Sequence, residues 1–401
     1  MGLLNTLKDY NCIYINGARQ IGKSTLAQEI AAKNNFDYIS FDNLMYKQLA
    51  SASPIDFVNN LHNSVVIDEV QMVPEIFLPL KTKIDTIKAN NSQQKILLTG
   101  SANLMALPKL SDALVGRMIV FTLYSFCGSE FLEKENSFIE SIFHTKILNK
   151  FRINTSGYSL KDMIQKATFP EISTKSDKNI WLNSYIDTLI NRDIKNITEI
   201  TKFNEIFKLL SIIASQVGGL LNESVLARET GLNNTTLNRY KNLLNNVFLT
   251  TEIQSYQTNL KKRFVKSSKL YINDTNLLLF LLNLDIKNIE QHYLYGKIVE
   301  NFVCCELQKL LSVHNNIKLY HLRTSDNKEV DFILERNDGP IICIEIKASS
   351  TFKLEDFKHL QFLQDELGDK LSNGIWWYNG NDIIQVSNKL FAVPISALWN
   401  I

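Results

Sequence analysis

The chain has 401 residues, 45% of them hydrophobic, which exceeds what one hydrophobic core usually organises and points to two to four domains. Lysine plus arginine (43) nearly cancels aspartate plus glutamate (41), so no global field attracts polyanions and any such affinity must come from a local basic patch. Five scattered cysteines, Cys12, Cys127, Cys304, Cys305 and Cys343, form no C-x-x-C pair and read as reduced, mostly buried thiols rather than zinc ligands. The longest apolar run, residues 277–282, is too short to cross a bilayer, and the first ten residues lack the apolar core of a signal peptide. A cytoplasmic protein with no membrane partner is expected.

In chain order, a short apolar strand at residues 12–15 runs into GARQIGKS, which fits G-x-x-x-x-G-K-[ST]. Glycines there let backbone N–H groups close on phosphate oxygens, and a lysine adds positive charge near the outer phosphates. Gly17, Ala18, Arg19, Gln20, Ile21, Gly22, Lys23, Ser24 and Thr25 are the candidate ATP-binding residues, with Lys23 catalytic and Ser24 a magnesium ligand. Helix formers follow from Lys23, and a helix N-terminus is itself an anion site. Strands expected near residues 37–41, 64–67, 95–98 and 118–123 alternate with helical stretches, the pattern of a parallel sheet covered on both faces.

VVIDEVQ ends the strand at 64–67 with Asp68 and Glu69. Asp68 suits the magnesium shell and Glu69 the polarisation of an attacking water. The intervening strand at 37–41 suggests ATPases with an inserted sheet strand. LLTGSA places Thr99 and Ser101 where the sheet's carboxyl edge faces the γ-phosphate, either to sense it or simply to cap a turn. Arg117, after Gly116, either reaches a phosphate in its own or a neighbouring subunit or forms an ordinary ion pair.

Residues 126–200 read as mainly helical, with Trp181, Tyr185, Leu189 and Ile190 as a packing stripe. LARETGLNNTTLNRYKNLL reads as helix, glycine turn, helix, on which Asn234, Thr235, Asn238, Arg239 and Lys241 are placed to face a groove. Downstream, Lys261, Lys262, Arg263, Lys266 and Lys269 interleave with Phe264 and Tyr271, the footprint of phosphate contacts with double-stranded DNA or, alternatively, of a protein-interaction module.

A helix at 295–311 precedes strands near 319–322, 329–335 and 341–348. In IICIEIKAS, period-two alternation turns Cys343, Glu345 and Lys347 to one face. Glu300, Asp331 and Glu345-x-Lys347 resemble the restriction-endonuclease-like pattern, in which Glu300, Asp331 and Glu345 would be metal ligands at a sheet edge and Glu345 and Lys347 catalytic. The other reading is a solvated, salt-bridged face. Gln361 and Lys358 are either phosphate-backbone contacts or ordinary surface.

GARQIGKS, VVIDEVQ, LLTGSA, LVGR, the FPE of Phe169 to Glu171 and the RD of Arg192-Asp193 together resemble a prokaryotic family of AAA-type ATPases. The resemblance implies an α/β multidomain chain: an AAA-type P-loop core (1–128), a helical lid (129–200), a winged helix-turn-helix (201–285) and a restriction-endonuclease-like domain of unknown function (286–401). Leu123-Tyr124-Ser125 departs from the family's proline-leucine-serine turn. The implied function is an ATP- and Mg2+-dependent, DNA-associated and possible homo-oligomeric ATPase with a nuclease-like end. The alternatives are a nucleotide-controlled protein-interaction switch with an inactive nuclease-like end, and a sequence-specific transcription regulator.

Overall fold

The structure, a computed structural model, describes residues 2–101, 114, 116–144, 157–190, 203–257, 267–324 and 328–400. The chain divides into two compact units, one mainly of residues 1–124 and the other mainly of residues 125–401.

In the first unit, which opens with α1 (Gly2–Asp9), β1 (Cys12–Asn16), β2 (Asp37–Ser40), β3 (Val65–Asp68), β4 (Ile96–Thr99) and β5 (Ile119–Thr122) form a parallel five-stranded sheet ordered β2-β3-β4-β1-β5. Alternation explains its coverage. Cys12, Tyr14, Val65, Ile67, Ile96 and Leu98 enter one core cluster, while Ile13, Ile15, Val66 and Leu97 enter another with Ala27, Ile30 and Ala31 of α2 (Lys23–Asn34). Both faces are therefore dry, as parallel sheets require. Strand β4 lies between β1 and β3, so the phosphate-loop strand and the Asp68 strand are separated by an inserted one.

The second unit begins with short helices, among which Phe169, Trp181 and Tyr185 pack ring on ring with centroids 4.9–5.1 Å apart. Next come α3 (Phe203–Ser215), α4 (Glu223–Thr230) and α5 (Asn234–Asn246), then an antiparallel pair, β6 (Thr250–Ile253) and β7 (Lys269–Ile272). Asn222 caps α4 by accepting from the Val225 amide, and Gly231 ends it at φ 79°, a left-handed position that glycine takes at little cost.

The rest is a six-stranded mixed sheet, β12-β13-β11-β10-β9-β8, preceded by α6 (Tyr295–Leu311). Its strands are β8 (Ile317–Arg323), β9 (Glu329–Arg336), β10 (Ile341–Ile346), β11 (Leu371–Tyr378), β12 (Ile384–Gln385) and β13 (Leu390–Pro394). A second helix, α7 (Lys358–Leu367), places Leu360 and Leu363 in a core with Ile333, Ile341, Cys343 and Trp376. Strand β10 is buried along its whole length, so its alternation separates two packed faces rather than a dry face from a wet one. All five cysteines are free and buried.

Candidate functional site

The phosphate loop joins β1 to α2. Gly17 is at φ 142° and Gly22 at φ 93°. A Cβ on Gly17 would stand 2.2 Å from the Leu123 carbonyl oxygen, so that glycine is required by space, whereas Gly22 has nothing within 4 Å and is required by its backbone angle alone. Lys23 is buried, and its Nζ donates to the loop's own carbonyls, Gly17 O at 3.0 Å and Ala18 O at 2.6 Å. The lysine is thus folded under the loop it serves.

Opposite it, the end of β3 presents Asp68. Its Oδ1 accepts from Ser24 Oγ at 3.1 Å and from Thr99 Oγ1, and its Oδ2 accepts from Tyr38 Oη at 2.8 Å. Glu69 follows in the left-handed region (φ 55°, ψ 44°), an uncommon conformation for a side-chain-bearing residue and one that gathers at functional sites. Its amide donates to Thr99 Oγ1 at 3.2 Å, and its carboxylate accepts from Gln71 Nε2, which also donates to Ser101 Oγ at 3.0 Å. Burial pushes Glu69 above the usual carboxylate range, against the pull of the Lys23 charge and the Gln71 hydrogen bond.

Lys23, Ser24, Asp68, Glu69, Thr99 and Ser101 are therefore brought together at one carboxyl edge of the sheet, where the strand order changes direction. Arg117 instead pairs with Asp85, Nε to Oδ1 at 2.8 Å, and that guanidinium holds Asp85 below its ordinary pKa. Sequence reasoning missed Tyr38 and Gln71. Tyr38 has no motif around it, whereas Gln71 stood at the end of VVIDEVQ.

The C-terminal constellation is differently arranged. The register that pairs Cys343 with Ile333 and Ile344 with Phe332 carries Asp331 and Glu345 toward each other on β9 and β10, which are inner strands and not the expected edge. Asp331 Oδ2 accepts from the Ile346 amide at 2.9 Å. At the centre of this cluster is Lys269, whose fully buried Nζ lies 2.9 Å from Glu300, 2.8 Å from Glu329 and 3.7 Å from Asp331. Glu300 also accepts from Tyr271 Oη at 2.7 Å and from Lys297 Nζ at 2.7 Å, so both of its oxygens are hydrogen-bonded.

Among the described residues, no group of three or more His, Cys, Asp or Glu side chains is placed to hold a metal ion. The expected ligands Glu300, Asp331 and Glu345 do not form such a group among the described residues. An ammonium already sits between Glu300 and Asp331. Glu345 Oε1 is buried without a hydrogen-bond partner, 3.5 Å from His359 Nδ1. Burial, then the neighbouring Asp331 charge, pushes Glu345 up to about 8; burial, then the Glu300 charge, pushes Asp331 up to about 6. Lys347 is exposed, its Nζ 5.9 Å from the Trp376 ring centre.

The expected nucleic-acid face is partly corrected as well. Asn234, Thr235 and Arg239 of α5 are exposed and Asn238 half-buried. Lys241 is buried, 2.7 Å from Glu223, and Lys269 and Tyr271 are buried in the carboxylate cluster, so none of the three faces a groove. Lys261, Lys262, Arg263, Phe264 and Lys266 lie outside the described residues. A signal for Lys269 existed: in KLYI the lysine and Tyr271 share one strand face.

Residues 9–132 match the family model described as AAA domain, residues 158–288 the Domain of unknown function (DUF8612), and residues 295–398 the Domain of unknown function (DUF4143). The chain is similar to the uncharacterized protein Rv2008c of Mycobacterium tuberculosis, at 26% identity over 95% of this chain and 79% of that one. An uncharacterized protein of Haemophilus influenzae is 23% identical over 94% and 93%. Among solved structures, the Walker-type ATPase PABY2304 of Pyrococcus abyssi is similar at 14% identity, with a TM-score of 0.39 over 70% of this chain and 93% of that one. The RuvB Holliday junction branch migration motor of Thermotoga maritima follows at 19% identity and TM-score 0.28, over 60% and 81%. No helix among the described residues is long and apolar enough to cross a membrane. The N-terminal unit, with its inserted-strand sheet, is an α/β fold with a phosphate-loop core, and it is the part of the chain that matches the model described as AAA domain.

Proposed function

We propose that the chain binds and hydrolyses ATP with magnesium at the N-terminal site and works in association with double-stranded DNA. The observation that carries this reading is the Ser24–Asp68 hydrogen bond beneath a phosphate loop whose lysine is poised on its own carbonyls. These donors fit the group. Lys23 can exchange the Gly17 and Ala18 oxygens for phosphate oxygens, and the first turn of α2 offers its amides to the same anion. Ser24 and Asp68 are the oxygen ligands expected for magnesium, and Tyr38 and Thr99 hold Asp68 in place for that task. Bound magnesium supplies charge neutralisation at the phosphates. Glu69 takes the proton of the attacking water, a role its desolvated carboxylate suits.

The three helices followed by a β-hairpin support a winged-helix reading of the segment before α6, and the exposed Asn234, Thr235 and Arg239 support DNA contact by α5. ATP turnover measured with and without duplex DNA tests this. Stimulation by DNA is expected; turnover indifferent to DNA at low salt favours the nucleotide-controlled protein-interaction switch.

For the C-terminal domain, read as restriction-endonuclease-like, one observation favours the inactive form: Lys269 is buried between Glu300, Glu329 and Asp331. Supercoiled DNA incubated with Mg2+ or Mn2+ should stay intact. Nicking that disappears in Glu345→Ala would restore the metal-dependent nuclease.

A further inference from the structure

The VVIDEVQ motif ends in a side chain that the reaction above leaves without a task. Gln71 stands in a short 3-10 turn, Val70–Met72, directly after the left-handed Glu69. That turn brings the Gln71 amide back against the Glu69 carboxylate. Its Nε2 spends both hydrogens, one on Glu69 Oε2 and one on Ser101 Oγ at 3.0 Å. Its Oε1 is buried with no hydrogen-bond partner. Chemistry fixes this orientation, because the flipped amide would press a carbonyl oxygen against a carboxylate.

An orphan acceptor in a native interior marks a place where something else donates. Here it lies buried beside Glu69, the group proposed above to take a proton from water. Gly100 lets that oxygen and the Tyr14 hydroxyl come close to the backbone, since a Cβ there would stand 2.6 Å from Gln71 Oε1 and 2.5 Å from Tyr14 Oη. The amide therefore links the end of β3 to the end of β4 and leaves one acceptor unspent between them.

We propose that Gln71 orients the hydrolytic water: its Nε2 fixes Glu69 and Ser101, and its Oε1 accepts one water hydrogen while the other faces Glu69. The inference rests on the ATPase reading. In the step, the water oxygen bonds to the γ-phosphorus as the bond from that phosphorus to the β–γ bridging oxygen breaks. ADP and phosphate leave, one water proton passes to Glu69, and Gln71 gives up no proton. Both groups act on a single water, so their effects are not independent.

The test is turnover and ATP-analogue affinity of the full chain as wild type, Gln71→Leu, Gln71→Asn, Glu69→Gln and the Glu69→Gln/Gln71→Leu pair. Gln71→Leu should lower kcat roughly 10²-fold with nucleotide affinity kept, and the double variant should be no slower than Glu69→Gln alone. Gln71→Asn, an amide one carbon shorter, should fall between wild type and Gln71→Leu. Undiminished or faster turnover in Gln71→Leu, or losses that multiply in the double variant, overturns the proposal. If Gln71→Leu fails to fold, Gln71→Asn decides: full kcat overturns the proposal, and a reduced kcat at intact affinity supports it. A wild-type chain that hydrolyses no ATP removes the ATPase reading and this proposal together; every other failure leaves that reading standing.

Discussion

At the scale of single residues, the two carboxylate sites are opposites. Asp68 has three hydroxyl donors, whereas Glu345 has a buried oxygen with none. The Glu345 pKa of about 8 makes a pH dependence that can be measured. Unfolded, this carboxyl loses its proton near its ordinary 4.5, so between there and about 8 the folded chain binds a proton that the unfolded chain does not. Stability must fall as pH rises through that window. Below about 6.5 the buried His321, held down to about 4 by burial and then by the Lys269 charge, works in the other direction, and above about 8 so does Lys178, held down to about 8 by burial, so the clean interval is about pH 6.5 to 8. Wild type should lose up to about 2 kcal/mol across it, and Glu345→Gln should flatten the slope. A melting temperature that is level from pH 6.5 to 8 in wild type would refute this. Asp331 and Glu345 were legible as a pair from their spacing, and the phosphate-loop residues from their motif. Lys269 was less legible: its strand face was readable from KLYI, but nothing in a run of lysines marks the one that is buried, and its partner Glu300 is 31 residues away.

At the scale of elements, what the sequence encodes locally was readable and what pairing decides was not. Periodicity and the glycine turn marked α4 and α5, and aliphatic runs marked β1, β3 and β4 within a residue or so. The extra strand at 37–41 suggested an inserted-strand sheet, but that β4 is the strand placed between β1 and β3 is decided by tertiary pairing, which no local pattern carries. The same holds for β7, which is tied to α6 through side chains. Asn301 Oδ1 accepts from the Ile272 amide at 2.9 Å, its Nδ2 donates to the Ile272 carbonyl at 3.0 Å, and Lys269 reaches Glu300 one residue earlier on that helix. Lys269→Met should therefore destabilise the second unit by about 3–5 kcal/mol, since it strands several carboxylates around a hole. Denaturant unfolding at neutral pH checks it. An unchanged midpoint would mean that the cluster is solvated.

At the scale of the whole molecule, near-neutral charge means that any DNA affinity must come from a few side chains. Removing the charges of Lys261, Lys262 and Arg263 should weaken duplex binding across all sequences and lower the slope of affinity against salt by roughly 2–3. A slope that stays the same would assign the patch to a protein partner or to solvent. The central claim is that the fold turns over ATP at the site where Lys23 and Ser24 face Asp68 and Glu69. The measurement that tests it most directly is ATP affinity and turnover, side by side, for wild type, Lys23→Ala and Glu69→Gln. Wild type should bind and hydrolyse; Lys23→Ala should lose binding or turnover severely; and Glu69→Gln should keep binding while turnover falls roughly 10²-fold or more. Undiminished turnover in Lys23→Ala, or normal hydrolysis in Glu69→Gln, would contradict the account.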